Sequence, residues 1–144
     1  MGEWSPITYR CEWVEGSNGP SAGARFKGYN RMPPARWWTL CEVTESVPGK
    51  VFEFRTIDGT FSFGARNKEM TRWRYTFEPD GIGTRARESY AVSFIPAPLR
   101  IPEMILRRIG AGSLVDRRRA QTNRAMDETL QRIKRTAEGE VSTD

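Results

Sequence analysis

Polar and apolar residues alternate along most of the first two-thirds of the chain. Tyr9, Cys11 and Trp13 interleave with Thr8, Arg10 and Glu12, the period-two pattern of a half-buried strand. A turn signal over Glu15–Pro20 follows, and Phe26 and Gly28 then alternate with Arg25, Lys27 and Tyr29 until Pro33 and Pro34 interrupt the pattern. Arg36–Val47 is β-branched and aromatic and ends at Pro48–Gly49, which predicts a third strand and a turn. Its neighbours Trp37 and Trp38 point to opposite faces. Lys50–Ile57 sets Phe52 and Phe54 against Glu53 and Arg55; Asp58–Gly59 predicts another turn, leaving Thr60–Phe63 as a short strand or extended loop. Trp73, Tyr75 and Phe77 then oppose Arg72, Arg74, Thr76 and Glu78, and the hairpin signal Asp80–Gly83 returns the chain through Thr84–Phe94. Short turns between successive strands imply an antiparallel meander with one apolar and one charged face.

After Pro96 and Pro98 the period lengthens. Ile101, Met104, Ile105 and Ile109 fit a short amphipathic helix with Pro102 near its start. Gly110–Gly112 breaks it, and Ser113 can cap the next helix. Val115, Thr122, Met126, Thr129, Leu130, Ile133 and Ala137 mark the stripe of a long helix that Gly139 ends. The expected organisation is one domain over residues 1–144: sheet to 95, a connecting segment with a short helix over 96–112, and the long helix over 113–138. A sheet of about six strands and one long helix leave two arrangements open. Either the gap between them is filled as an ordinary core, or it forms a pocket walled by aromatic side chains.

Composition narrows the classes. A chain of 144 residues with 16 aromatic side chains can bury a core and is not of disordered type. No apolar run approaches the ~20 residues of a membrane span, and the first residues carry neither a basic nor an apolar region of a signal peptide. A cytoplasmic protein without a membrane span is the expectation. The sequence has no histidine, which excludes imidazole general bases and most zinc centres; neither a metal nor a cofactor is expected. Two cysteines make no disulfide framework, and without a histidine partner they are expected to be core residues. The formal charge of +5 invites a nucleic-acid reading. However, residues 1–99 hold 13 basic and 11 acidic groups and residues 100–144 hold 10 and 7, so the excess is small and interleaved. Arg117–Arg119, the one dense cluster, reads as a solvated helix face, and no nucleic-acid partner is expected.

Gly2–Pro6, Gly23–Arg31, Trp37 leading to Glu42–Val43, and Pro48–Gly49 before Val51–Phe54 occur in an order that resembles the SRPBCC superfamily. Thr71–Tyr75 before Glu78–Pro79, Gly83–Ser89, and Thr129–Leu130 with Ile133–Lys134 continue the likeness over nearly the whole chain. It is greatest to actinobacterial members of the polyketide cyclase/dehydrase group, relatives of START lipid-transfer domains. The resemblance implies an α+β helix-grip fold, in which a curved antiparallel sheet of about six strands wraps around a long C-terminal helix. It also implies a chain shortened at its N-terminus, lacking the family's first strand and pair of short helices. The first and last strands present would then lose their neighbour, and a homodimer could complete the sheet.

Alternation assigns to the inner face Tyr9, Trp13, Phe26, Phe52, Phe54, Trp73, Tyr75, Phe77 and Tyr90, with Cys11, Cys41 and Val43; the long helix adds Met126, Leu130 and Ile133. All but Tyr9, the cysteines, Val43 and Ile133 are taken as the candidate ligand-binding set. Glu88 shares this phase. A carboxylate on an apolar face gains a proton or a partner: a bond to a buried Tyr, Trp or backbone group, or a role as general acid/base. Asn30 could supply a hydrogen bond to a ligand or cap the loop near Pro33, and the loop role is preferred. Three functions follow: binding of a hydrophobic small molecule such as a lipid or polyketide; polyketide cyclisation or dehydration with Glu88 as acid/base; and a basic partner-binding module using the arginine-rich helix.

Overall fold

The computed structural model describes residues 2–65, 67–108 and 114–139. Six strands, β1 (Thr8–Val14), β2 (Arg25–Met32), β3 (Ala35–Val47), β4 (Val51–Gly59), β5 (Thr71–Asp80) and β6 (Gly83–Val92), precede two helices, α1 (Ala97–Arg108) and α2 (Leu114–Ala137). The strands form one antiparallel sheet in chain order, β1 to β6, so β1 and β6 are its edges. Together with α2 the curved sheet makes the helix-grip architecture expected from the resemblance. Ile109, Gly110–Gly112 and Ser113, expected to end one helix and cap the next, lie outside the described residues, as does the side chain of Val115.

Cross-strand pairing carries the alternation from strand to strand. Trp13 pairs with Phe26, Phe26 with Cys41, Val43 with Phe54, Phe54 with Trp73 and Trp73 with Tyr90, all on one face. Phe26, Cys41, Val43, Phe54 and Tyr75 form the buried cluster, with Cys11, Phe52, Trp73 and Phe77 packed around it. Edge-to-face contacts of Phe26 with Trp13 (5.6 Å) and Phe54 (5.1 Å) tie the first four strands together.

Three local expectations change. Tyr9 lies on the outer face, because the register shifts between Thr8 and Arg10. An irregularity of this kind adds a residue to one strand and reverses the phase beyond it. Thr8 consequently turns inward, donating a 2.7 Å hydrogen bond to Asn30 Oδ1, while Tyr9 stacks near Tyr29. Asp58–Gly59 is not a turn: β4 runs through both, pairing Gly59 with Thr39, and the chain turns over Thr60–Gly64. A Cβ at Gly59 would stand 2.6 Å from the Trp38 carbonyl oxygen, so the glycine serves close packing of strands. Pro102 lies in the interior of α1, which begins five residues before it.

The outer face is an ion-pair lattice. Glu42 accepts from Arg25 (3.0 Å) and Arg55 (2.6 Å); Glu53 accepts from Arg72, Arg74 and Thr44, each at 2.7 Å; Glu69 binds Arg72 at 2.5 Å. Toward β1, where Arg10 pairs with Glu12, cations also sit on rings. Lys27 lies 5.2 Å from the Tyr29 centroid and 4.6 Å from Trp38, and Arg31 lies 5.7 Å from Tyr9.

Candidate functional site

Helix α2 crosses the inner face without filling it. Among its described side chains Thr122 and Thr129 are buried, and Met126, Leu130 and Ile133 are half-buried. Threonine at a buried helix position leaves a short side chain there, and Thr129 satisfies its hydroxyl locally by donating to the Ala125 carbonyl at 2.8 Å. A helix presenting small and β-branched residues to a sheet of rings leaves space between the layers.

That space is a cavity of about 390 Å³ between the β3–β4 turn, the centre of the sheet and the C-terminal half of α2. Phe52, Tyr75 and Phe77 of the sheet lie on one side and Thr129 and Ile133 of α2 on the other, and Trp4, Pro20 and Pro48 also line it. A second space of about 180 Å³ lies toward β1, bordered by Cys11, Trp13, Phe26 and Phe52 among others. Phe52 borders both. The walls are almost wholly apolar, and the larger space falls within the range of small-molecule pockets.

Of the residues expected to hold a ligand, Trp13, Phe26, Phe52, Tyr75 and Phe77 border one or both spaces. Phe54 is buried in the core cluster, and Trp73 and Tyr90 stack on each other at 4.3 Å. Met126 and Leu130 are half-buried on α2 and border neither space. Trp4, Pro20, Val47 and Pro48 were not foreseen. Trp4, Pro20 and Pro48 belong to the N-terminal segment and turns, where no periodicity marks an inward position, and Val47 is the last residue of β3. The nearest signal was the aromatic Trp4 within Gly2–Pro6, a run used only for its resemblance.

Glu88 lies on the inner face opposite Tyr75, as its phase in β6 requires. Tyr75 donates a 2.6 Å hydrogen bond to Glu88 Oε1, while Glu88 Oε2 is buried with no partner among the described residues. Burial raises the Glu88 carboxyl to about 7; the Tyr75 bond opposes the rise and the nearby Asp127 adds to it. Burial and the facing carboxylate likewise push the Tyr75 phenol well above its ordinary value. The pair can therefore hold a proton at neutral pH beside the larger cavity, whose wall includes Tyr75. Both thiols are raised by burial, Cys41 to about 11, so neither is a ready nucleophile. Asn30 is buried and bonded to Thr8, with longer contacts to Thr39 Oγ1 and the Gly28 carbonyl (3.4 Å each), rather than capping a loop near Pro33. No helix among the described residues is long and apolar enough to cross a membrane.

The sequence matches a family model described as "Polyketide cyclase / dehydrase and lipid transport" over residues 1–138. Among solved structures, it resembles the NMR solution structure of a polyketide-cyclase-like protein from Corynebacterium glutamicum, an actinobacterium. Identity is 31% and the TM-score 0.57, over 97% of this chain and 77% of that one. None of the curated proteins matches.

Proposed function

The chain belongs to the polyketide cyclase/dehydrase and lipid-transport family, and from that premise we propose that it binds a hydrophobic small molecule between the sheet and α2. The observation that carries this reading is the apolar cavity of about 390 Å³ beneath Thr129 and Ile133. Phe52 is central because it borders both spaces; a ligand longer than the larger one extends past this ring toward Trp13 and Phe26. The ligand belongs to the class of lipids, polyketides and comparable largely apolar molecules, because an ionic group facing these walls loses its hydration without compensation.

Native mass spectrometry of the purified protein with a panel of fatty acids and polycyclic aromatics tests the proposal. Binding that is retained by the wild type and weakened by Phe52→Ala and Ile133→Trp supports it. Loss in neither variant, with both folded, overturns it.

The Tyr75–Glu88 pair favours a second reading, cyclisation or dehydration of a bound polyketide. Such chemistry needs a group that gives and takes a proton near neutral pH, and a carboxyl raised to about 7 meets that need. Glu88→Gln discriminates the readings: retained affinity with lost turnover marks catalysis, and retained affinity without any turnover in the wild type marks a carrier.

A further inference from the structure

Several large apolar side chains are left exposed on and around α1, at the end of the sheet opposite the β3–β4 turn; Val47 beside the cavity and Ile82 in the β5–β6 hairpin are exposed elsewhere. Helix α1 presents Ile101, Met104 and Ile105, at 54%, 65% and 53% exposure. Their spacing of three and four places them on one helical face. Ile95, just before α1, and Phe61 and Phe63, in the loop between β4 and β5, are exposed as well. Contacts join these segments. Ser93 and Phe94 bond through their backbone N–H groups to the Met70 carbonyl at the end of that loop, and Phe61 packs 6.4 Å from Trp37.

The same end is basic. Arg100 and Arg108 are exposed at either end of the apolar face of α1, and the helix has no acidic residue in its first turn. In sequence α1 holds three arginines and one glutamate. Lys68 rests 5.1 Å from the Phe94 ring, and Arg118 of α2 rests 5.0 Å from Trp37. Glu69, next to Lys68 in the chain, is already bonded by Arg72 and Ser93.

Apolar side chains alone would leave the occupant of this surface open; their combination with cations decides it. A second copy of the chain, docked face to face, would oppose arginine to arginine. A bilayer with anionic headgroups offers an apolar layer for the isoleucines, methionine and phenylalanines, and phosphates for the cations around them. We propose that this end, formed by α1 and the β4–β5 loop, docks on an anionic lipid surface with α1 lying in the interfacial plane. The inference uses no property of the cavity and stands whether or not a ligand binds there.

Vesicle co-sedimentation of the full chain tests it, with phosphatidylcholine vesicles and with a phosphatidylcholine–phosphatidylglycerol mixture, each at low and high salt. The expected result is binding to the mixed vesicles that falls with salt and is at least about tenfold weaker on neutral ones. I101S/M104S/I105S is expected to reduce binding by at least about tenfold, and R100Q/R108Q by roughly 30-fold on mixed vesicles. All the substituted side chains are exposed, and a cooperative melt matching that of the wild type establishes that each variant folds. Absence of binding to mixed vesicles, or equal salt-independent binding to both kinds, overturns the proposal. So does self-association in sedimentation velocity that the triple variant abolishes while vesicle binding is unchanged.

Discussion

The two faces of the sheet solve the problem of charge in opposite ways. On the outer face, Glu42, Glu53 and Glu69 each meet arginines, and hydrogen bonds and ion pairs hold their carboxyls below the usual value; at Glu53 these outweigh burial, which acts to raise it. On the inner face, Glu88 accepts from the Tyr75 hydroxyl and meets no cation among the described residues, and burial carries it the other way. The sheet thus holds carboxylates that favour ionisation and one that resists it, within strands only a few residues apart. A surface carboxylate is stabilised by whatever cation reaches it, whereas one on an apolar wall is retained at a cost and marks a place where a proton is held.

The largest effect expected on this comparison comes from the core that separates the faces. Phe54→Ala removes a buried ring between Phe26 and Phe52 and is expected to destabilise the fold by about 3–5 kcal/mol in denaturant unfolding. A loss below about 1 kcal/mol would mean that the inner face is too loosely packed to separate the two environments. Next comes Glu53→Gln, which leaves Arg72 and Arg74 facing a neutral amide on a nearly buried site. Its expected cost is about 1–3 kcal/mol, since Glu69 and Glu45 still hold the two arginines.

The pH profile separates the faces by sign. Glu42, Glu53 and Glu69 bind protons less readily folded than unfolded, so their contribution is present above the ordinary carboxyl value of 4.5 and fades as pH falls below it. Glu88 binds its proton more readily folded, so stability declines as pH rises from 4.5 to about 7 and is level beyond. Denaturant titrations across this range should show the decline in the wild type and its disappearance in Glu88→Gln. A parallel decline in both proteins would remove Glu88 as its source.

How much of this was legible in the sequence follows from what alternation records. Period two identifies a face, so Phe26, Phe54, Trp73 and Glu88 were placed correctly from one strand each. It records no register, so the irregularity that turns Tyr9 outward left no mark, and Asp58–Gly59 carried a turn signature although Gly59 is there to admit the Trp38 carbonyl. Periodicity also distinguishes a wall from a filled layer nowhere. Trp73 and Tyr90 share the phase of Phe52 but stack on each other, and Trp73 also packs on the core cluster, contacts between strands that alternation along one strand does not record. Trp4 and Pro20 reach the cavity from non-periodic segments.

The smallest expected effect sharpens the account of the outer face. Arg85 and Asp80 form a 2.9 Å ion pair at the β5–β6 hairpin, with side chains 59% and 54% exposed, whereas the Glu53 side chain is 9% exposed. If the lattice stabilised the sheet by its number of ion pairs, Arg85→Ala would resemble Glu53→Gln. If it does so by ionising carboxylates in partly buried sites, water already solvates both members of the hairpin pair and replaces the lost partner. The expected change for Arg85→Ala is therefore below about 0.5 kcal/mol, vanishing at high salt. A loss equal to that of Glu53→Gln would assign the stability of the outer face to the count of ion pairs rather than to their burial.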